Sequence, residues 1–147
     1  MDDPLDEVIA GLKAARTEHP LPDRSIEAIY TLAVDCLQSG RSAEARTSFE
    51  ILTGQRPAEA RFWAGLGHSL LDTGSSEDAL LPFLLATRLD RQNPGYMMGL
   101  AQCCADRELS GHAAYGFGIA AEMARVQGDA ELAQRARARL ELMGFSV

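Results

Sequence analysis

The chain has 147 residues, enough for one domain with a core of its own. Its net charge of −7 disfavours nucleic acid as a partner, since neutralising phosphates takes clustered Lys and Arg; a solubility role for the charge is equally consistent. No run of about 18 uncharged apolar residues suggests a membrane span, and the acidic start MDDPLDEV argues against a secretory signal or mitochondrial presequence, so a cytoplasmic location without direct membrane insertion is expected.

Asp2 or Asp3 can cap a helix that opens at Pro4, a favoured first-turn position for proline. Leu5, Val8, Ile9 and Leu12 follow at i, i+3, i+4, i+7 and predict an amphipathic helix over 4–17, which Pro20 and Pro22 stop. Its apolar stripe must either cap the first repeat described below or meet another chain.

The stretch 60–89 carries Trp63, Leu66, Gly67, Leu70, Gly74, Ala79, Phe83 and Ala86: large, Leu, small, large, a glycine turn, then small, large, small. Thirty-four residues upstream stand Ile29, Leu32, Ala33, Cys36, Gly40, Ala45, Phe49 and Leu52; thirty-four downstream stand Met97, Leu100, Ala101, Cys104, Glu108, Ala113, Phe117 and Ala120. Three copies at one fixed period predict an all-α single domain of three tandem tetratricopeptide helix–turn–helix repeats, over 25–59, 60–93 and 94–127. A helix over 129–143 would cover the open end, with Leu132, Ala136, Leu140 and Met143 on its apolar face and Arg135, Arg137 and Arg139 on its polar one.

Within the repeats, Ile29, Leu32, Ala33 and Cys36 are expected to point inward. Ser76 is a candidate N-cap, with Glu77 and Asp78 in the first turn behind it. Pro82 lies past that first turn and should remove a backbone bond and kink its helix. Around it, Leu81, Leu84 and Leu85 are left either buried under neighbouring helices or exposed as a second surface. In the third repeat Glu108 replaces the turn glycine, Gly111 comes three residues later, and Gly116 and Gly118 each cost the second helix about 1 kcal/mol against alanine.

Catalytic and metal-binding patterns do not emerge. His19, His68 and His112 are scattered over a linker, a helix face and a turn; there is no CxxC, HExxH or P-loop; and Cys103-Cys104 is too close for a metal clasp. Cys36 and Cys104 share a repeat position and read as reduced core thiols. No enzyme activity, cofactor or metal is expected. In stacked helix pairs the first helix of each repeat lines an inner groove. That places Tyr30, Val34 and Leu37 there from the first repeat, Ala64, His68 and Leu71 from the second, and Met98, Gln102 and Ala105 from the third. Glu27, Arg61, Asp72 and Asp106 would rim it. Such an apolar, sparsely charged trough suits an extended peptide with small apolar anchors; alternatively, these residues pack on flanking helices. Reading a terminal carboxylate would need paired Lys and Arg on this face, and the one lysine is Lys13.

The segment Arg61-Phe-Trp-Ala-Gly-Leu-Gly67 resembles the R-(F/Y)-(W/F)-x-G-L-G of the class II chaperones of type III secretion systems, which guard hydrophobic translocator proteins. Ala33, Gly40 and Phe49 before it, and Leu89-Asp90, Pro94 and Ala101-Gln-Cys103 after it, extend the resemblance over about residues 25–125. It implies an ATP-independent holdase whose groove takes an extended segment of a translocator, with Tyr30, Val34, Leu37, His68 and Leu71 as groove residues. It also implies a homodimer through the N-terminal region, which would use Leu5, Val8, Ile9 and Leu12. The chain departs from the family pattern at Gly99-Leu-Ala-Gln-Cys103, where H-A-A-E-C is usual, and at the missing turn glycine. The competing reading is a general repeat scaffold that binds a folded partner through the Leu81–Leu85 surface.

Overall fold

The computed structural model describes residues 3–145, which form eight α-helices and no strand. They are α1 (Pro4–Ala14), α2 (Asp23–Gln38), α3 (Ser42–Gln55), α4 (Ala60–Asp72), α5 (Ser76–Leu89), α6 (Pro94–Asp106), α7 (Ser110–Val126) and α8 (Ala130–Leu142). Each repeat is an antiparallel pair: α2 with α3, α4 with α5, α6 with α7. Helices α2, α4, α6 and α8 touch in sequence, whereas α3, α5 and α7 do not touch one another. The first set is therefore the inner, concave layer and the second the splayed, convex one.

The join between repeats is built from one phenylalanine and one missing side chain. Phe49, Phe83 and Phe117 are fully buried at the repeat interval. A Cβ on Gly65 would stand 2.1 Å from the Phe49 ring, and one on Gly99 would stand 2.1 Å from that of Phe83. Each outer helix thus drives a ring into a notch on the inner helix of the next repeat, and burial of each ring contributes about 2 kcal/mol. The equivalent residue of α8 is Ala133, buried at 2 % exposure, so α8 continues the inner layer.

The turns repeat equally closely. Gly40, Gly74 and Gly128 take φ +80°, and the next residue's N–H closes 2.8 Å bonds: Arg41 to Cys36, Ser75 to Leu70, Asp129 to Ala124. In the third repeat Glu108 adopts φ +61° and Leu109 donates to the Cys104 carbonyl at the same 2.8 Å. The turn has not moved to Gly111, which lies inside α7; a non-glycine residue accepts the left-handed conformation instead.

Several local expectations are corrected. Ser76 is the first residue of α5, and the preceding Ser75 makes no side-chain cap bond. Asp3 does cap α1, accepting from Leu5 N at 2.9 Å. Helix α1 ends at Ala14, short of residue 17, because Ala15 turns extended and the Thr17 hydroxyl donates to the Gly54 and Gln55 carbonyls at the end of α3. Helix α5 continues through Pro82. Leu32 is 55 % exposed rather than inward. Its counterpart Leu100 faces the repeat before it; among the described residues no repeat precedes α2, and α1 packs on α5 instead. There α1 buries Ile9 and fastens Asp3 and Asp6 to Arg88.

Candidate functional site

The concave wall opens with an aromatic cluster. Tyr30 of α2 sets its ring 5.5 Å from Phe62 of α4 and 6.2 Å from Phe49. The Arg61 guanidinium lies over both, 4.5 Å from the Tyr30 centroid and 4.8 Å from that of Phe62. Its nitrogens pair with Glu27, and with Glu59 at 3.1 Å. These hydrogen bonds, Glu27's first, raise the Arg61 pKa, and Arg61 in turn holds the Glu27 carboxyl below its usual range. Arg61 is thus more than a rim charge, since it roofs the first aromatic anchor.

Further along, His68 of α4 stands edge-on to Phe83 at 4.9 Å. Protein crowds it in the hollow, and that crowding lowers its pKa; Asp72 opposes the shift and Arg135 adds to it. His68 nevertheless remains exposed to solvent. Beside it is a hollow of about 370 Å³ shared by His68, Tyr96, Met98, Leu132 and Arg135. Burial pushes the Tyr96 phenol up, with Asp90 and Tyr30 adding to the shift. Among the described residues no carboxylate lies within ion-pair distance of Arg135.

The expected groove residues therefore differ in what they offer. Tyr30, Val34, Leu37 and Leu71 are half-buried and rest on the main core, so each keeps part of its surface free. Met98 and the open His68 share the hollow with α8. Gln102 is half-buried and donates to Asp106 at 2.7 Å. Ala64, 4 % exposed, is floor and has almost no surface to give. On α1, Ile9 is buried inside its own chain, leaving Val8 exposed and Leu5 and Leu12 half-buried. Sequence reading missed Tyr96, Leu132 and Arg135. Tyr96 stands 34 residues after Phe62, a signal within reach; Arg135 looked like ordinary solvated polarity until α8 joined the inner layer.

The leucines around Pro82 divide. Leu85 is 3 % exposed, Leu84 lines a convex cavity together with Leu80, and Leu81 is 55 % exposed. Burial drives the Cys103 thiol up to about 12 and raises that of Cys104, so both are poor nucleophiles. Among the described residues no three His, Cys, Asp or Glu side chains are placed to hold a metal, and no helix is long and apolar enough to cross a membrane.

An inner layer of four helices, phenylalanine-in-notch joins and a lined concavity define a tetratricopeptide-repeat fold with a flanking helix at each end. The tetratricopeptide repeat family matches residues 30–96. Within that class the chain resembles the class II translocator chaperones of type III secretion systems over most of its length. It is 27 % identical to PcrH from Pseudomonas aeruginosa, with a TM-score of 0.81 over 88 % of this chain and 99 % of that one. It matches a type III secretion complex from Aeromonas hydrophila at 27 % identity and a TM-score of 0.80, over 95 % of each chain. The Yersinia enterocolitica chaperone SycD, solved with a peptide of the translocator YopD, matches at 25 % identity and 0.77, over 84 % of this chain and 95 % of that one. No curated protein matches by sequence.

Proposed function

We propose that this chain is a cytoplasmic, ATP-independent chaperone of a type III secretion system. It holds a hydrophobic translocator soluble and secretion-competent by taking an extended client segment along the concave face. The observation that carries the reading is the likeness, over most of the chain, to PcrH, solved with the chaperone-binding regions of PopD and of PopB, and to SycD with its YopD peptide. The concave surface supports it: Tyr30, Val34, Leu37 and Leu71 present apolar sides at one end, and His68, Tyr96 and Met98 continue the trough toward α8.

The mechanism is mass action. A bound apolar segment is withdrawn from the pool that self-associates, and the ordering cost of the segment keeps affinity moderate enough for release to the export machinery. The homodimer, if it uses α1, rests on Leu5, Val8 and Leu12, since Ile9 already serves the chain's own packing; SycD has been described with an alternative dimer.

The test is co-expression with the translocator of the same secretion system. The wild-type chain should keep it soluble, and Tyr30→Ala or Leu37→Glu should lower the co-purified client by about ten-fold or more while helicity is unchanged. Undiminished solubilisation by both variants would show the groove assignment to be wrong. A stoichiometric complex with a folded partner in place of the translocator would favour the general scaffold.

A further inference from the structure

The inner layer joins its helices in two different ways. Between α2 and α4 the ring of Phe62 is covered: Tyr30 stands 5.5 Å from it, and the Arg61 guanidinium lies 4.8 Å from its centroid. Glu27 and Glu59 hold that guanidinium in place, and Phe62 is fully buried. Thirty-four residues on, between α4 and α6, the same frame is stripped. Tyr96 takes the place of Phe62, but Ala64 stands at the position of Tyr30 and Gly95 at that of Arg61. The ring has kept its position while both of its covers are reduced to the smallest side chains.

Tyr96 is accordingly only half-buried, and it lines the hollow of about 370 Å³ shared with His68, Met98 and α8. Among the described residues no aromatic ring packs against it and no side chain hydrogen-bonds its hydroxyl. The charges around it say what would complete the frame. Asp129 and Glu131 line the hollow against Arg135, while the lowered pKa of His68 keeps that ring neutral at pH 7. Asp129 already accepts the Leu132 N–H at 3.0 Å as the cap of α8. Glu131 has no cation within ion-pair distance among the described residues. Burial raises the Tyr96 phenol first, and Asp90, Tyr30 and Glu59 add to the shift, which Arg61 only partly opposes. Carboxylates thus outweigh cations around an uncovered π face, and such a face attracts a cation, above all a planar one that can stack on it.

We propose that this hollow is a specificity subsite for an arginine of the client segment, whose guanidinium covers Tyr96 as Arg61 covers Phe62 and meets Glu131 at the edge. The proposal rests on the chaperone reading above and deepens it. Apolar anchors at the Tyr30 end supply affinity, and the Tyr96 end sets which segment binds and in which direction it runs.

The probe is a synthetic peptide of the translocator's chaperone-binding segment, made with each arginine in turn replaced by citrulline, which keeps the planar shape and loses the charge. At one position the exchange should weaken binding to the wild-type chain by about five-fold. Tyr96→Leu should bind the unmodified peptide about five-fold more weakly, and then lose less than about two-fold more at that position. Tyr96→Phe keeps the ring and should keep the full effect of citrulline. Glu131→Gln, an exposed change on α8, should reduce that effect to about two- to three-fold without touching the core. Such coupling separates a stacking contact from a structural role, which would lower the affinity for every peptide alike. The proposal is overturned if the segment contains no arginine, or if no citrulline exchange costs more than about two-fold. It is overturned equally if the loss on Tyr96→Leu and Glu131→Gln matches that on wild type. If the unmodified peptide does not bind the wild-type chain at all, the chaperone reading falls, and this proposal with it.

Discussion

The second and third repeats share one backbone and differ in what it carries. Their inner–outer pairs turn through a left-handed residue at the same repeat position, Gly74 and Glu108, and each receives the phenylalanine of the repeat before it in a glycine notch. Yet on the convex side the second carries Trp63 and the Arg46–Glu50 pair at the positions where the third has Met97, Leu80 and Leu84 around an apolar cavity. Positions that set the distance between helices cannot vary without moving a whole repeat. Positions that face a hollow can vary freely, and there the third repeat has specialised.

The notches are where that comparison breaks most severely. Gly99→Ala pushes a Cβ into the Phe83 ring and Gly65→Ala does the same to Phe49, so each should destabilise by about 2–3 kcal/mol in urea titration. A loss under about 0.5 kcal/mol would mean that the rings can slide and that the register is set elsewhere. The turns come next. Glu108→Gly relieves a left-handed glutamate and should stabilise by about 1 kcal/mol, while Gly74→Glu should cost a similar amount. A third pair separates packing from propensity within α7. Gly118 has open space around its Cβ position, so Gly118→Ala should gain about 0.5–1 kcal/mol; at Gly116 the Cβ would meet that of Ala101 at 2.9 Å, and Gly116→Ala should lose stability. Thermal melts of the two alanine variants should shift in opposite directions.

The smallest effect concerns pH. His68 has a folded pKa below the 6.5 of the free side chain, so the unfolded chain binds the proton more readily than the folded one. Its contribution to stability is therefore full above pH 6.5 and falls as pH drops through that value toward the folded pKa. A client segment lying over His68 desolvates it further, so client affinity should weaken by about two- to five-fold between pH 7.5 and 5.5. His68→Gln should flatten the profile; a slope that survives the substitution would place the titrating group elsewhere.

The sequence made the repeat legible because the period itself is a packing record. Ala33, Ala101, Phe49, Phe83 and Phe117 recur where helices touch, and all are buried. Groove candidates such as Tyr30 and Leu37 followed from the same phase, since core and concave positions alternate around one helix. Legibility stopped where a residue's surroundings come from outside its own repeat. Leu32 obeys the pattern and is exposed because, among the described residues, no repeat packs before it. Glu108 breaks the glycine pattern of the turn, and backbone bonds on both sides nevertheless hold the turn in place.

By itself, then, the sequence determined the all-α class, the three helix pairs and the faces they bury, because those depend on spacing along a single helix. Tertiary structure alone decided that α1 crosses to α5, that α8 brings Arg135 and Leu132 to the end of the groove, and that Leu80, Leu84 and Met97 enclose a cavity. Each of these outcomes depends on which distant helix arrives at a face, and no local period carries that information.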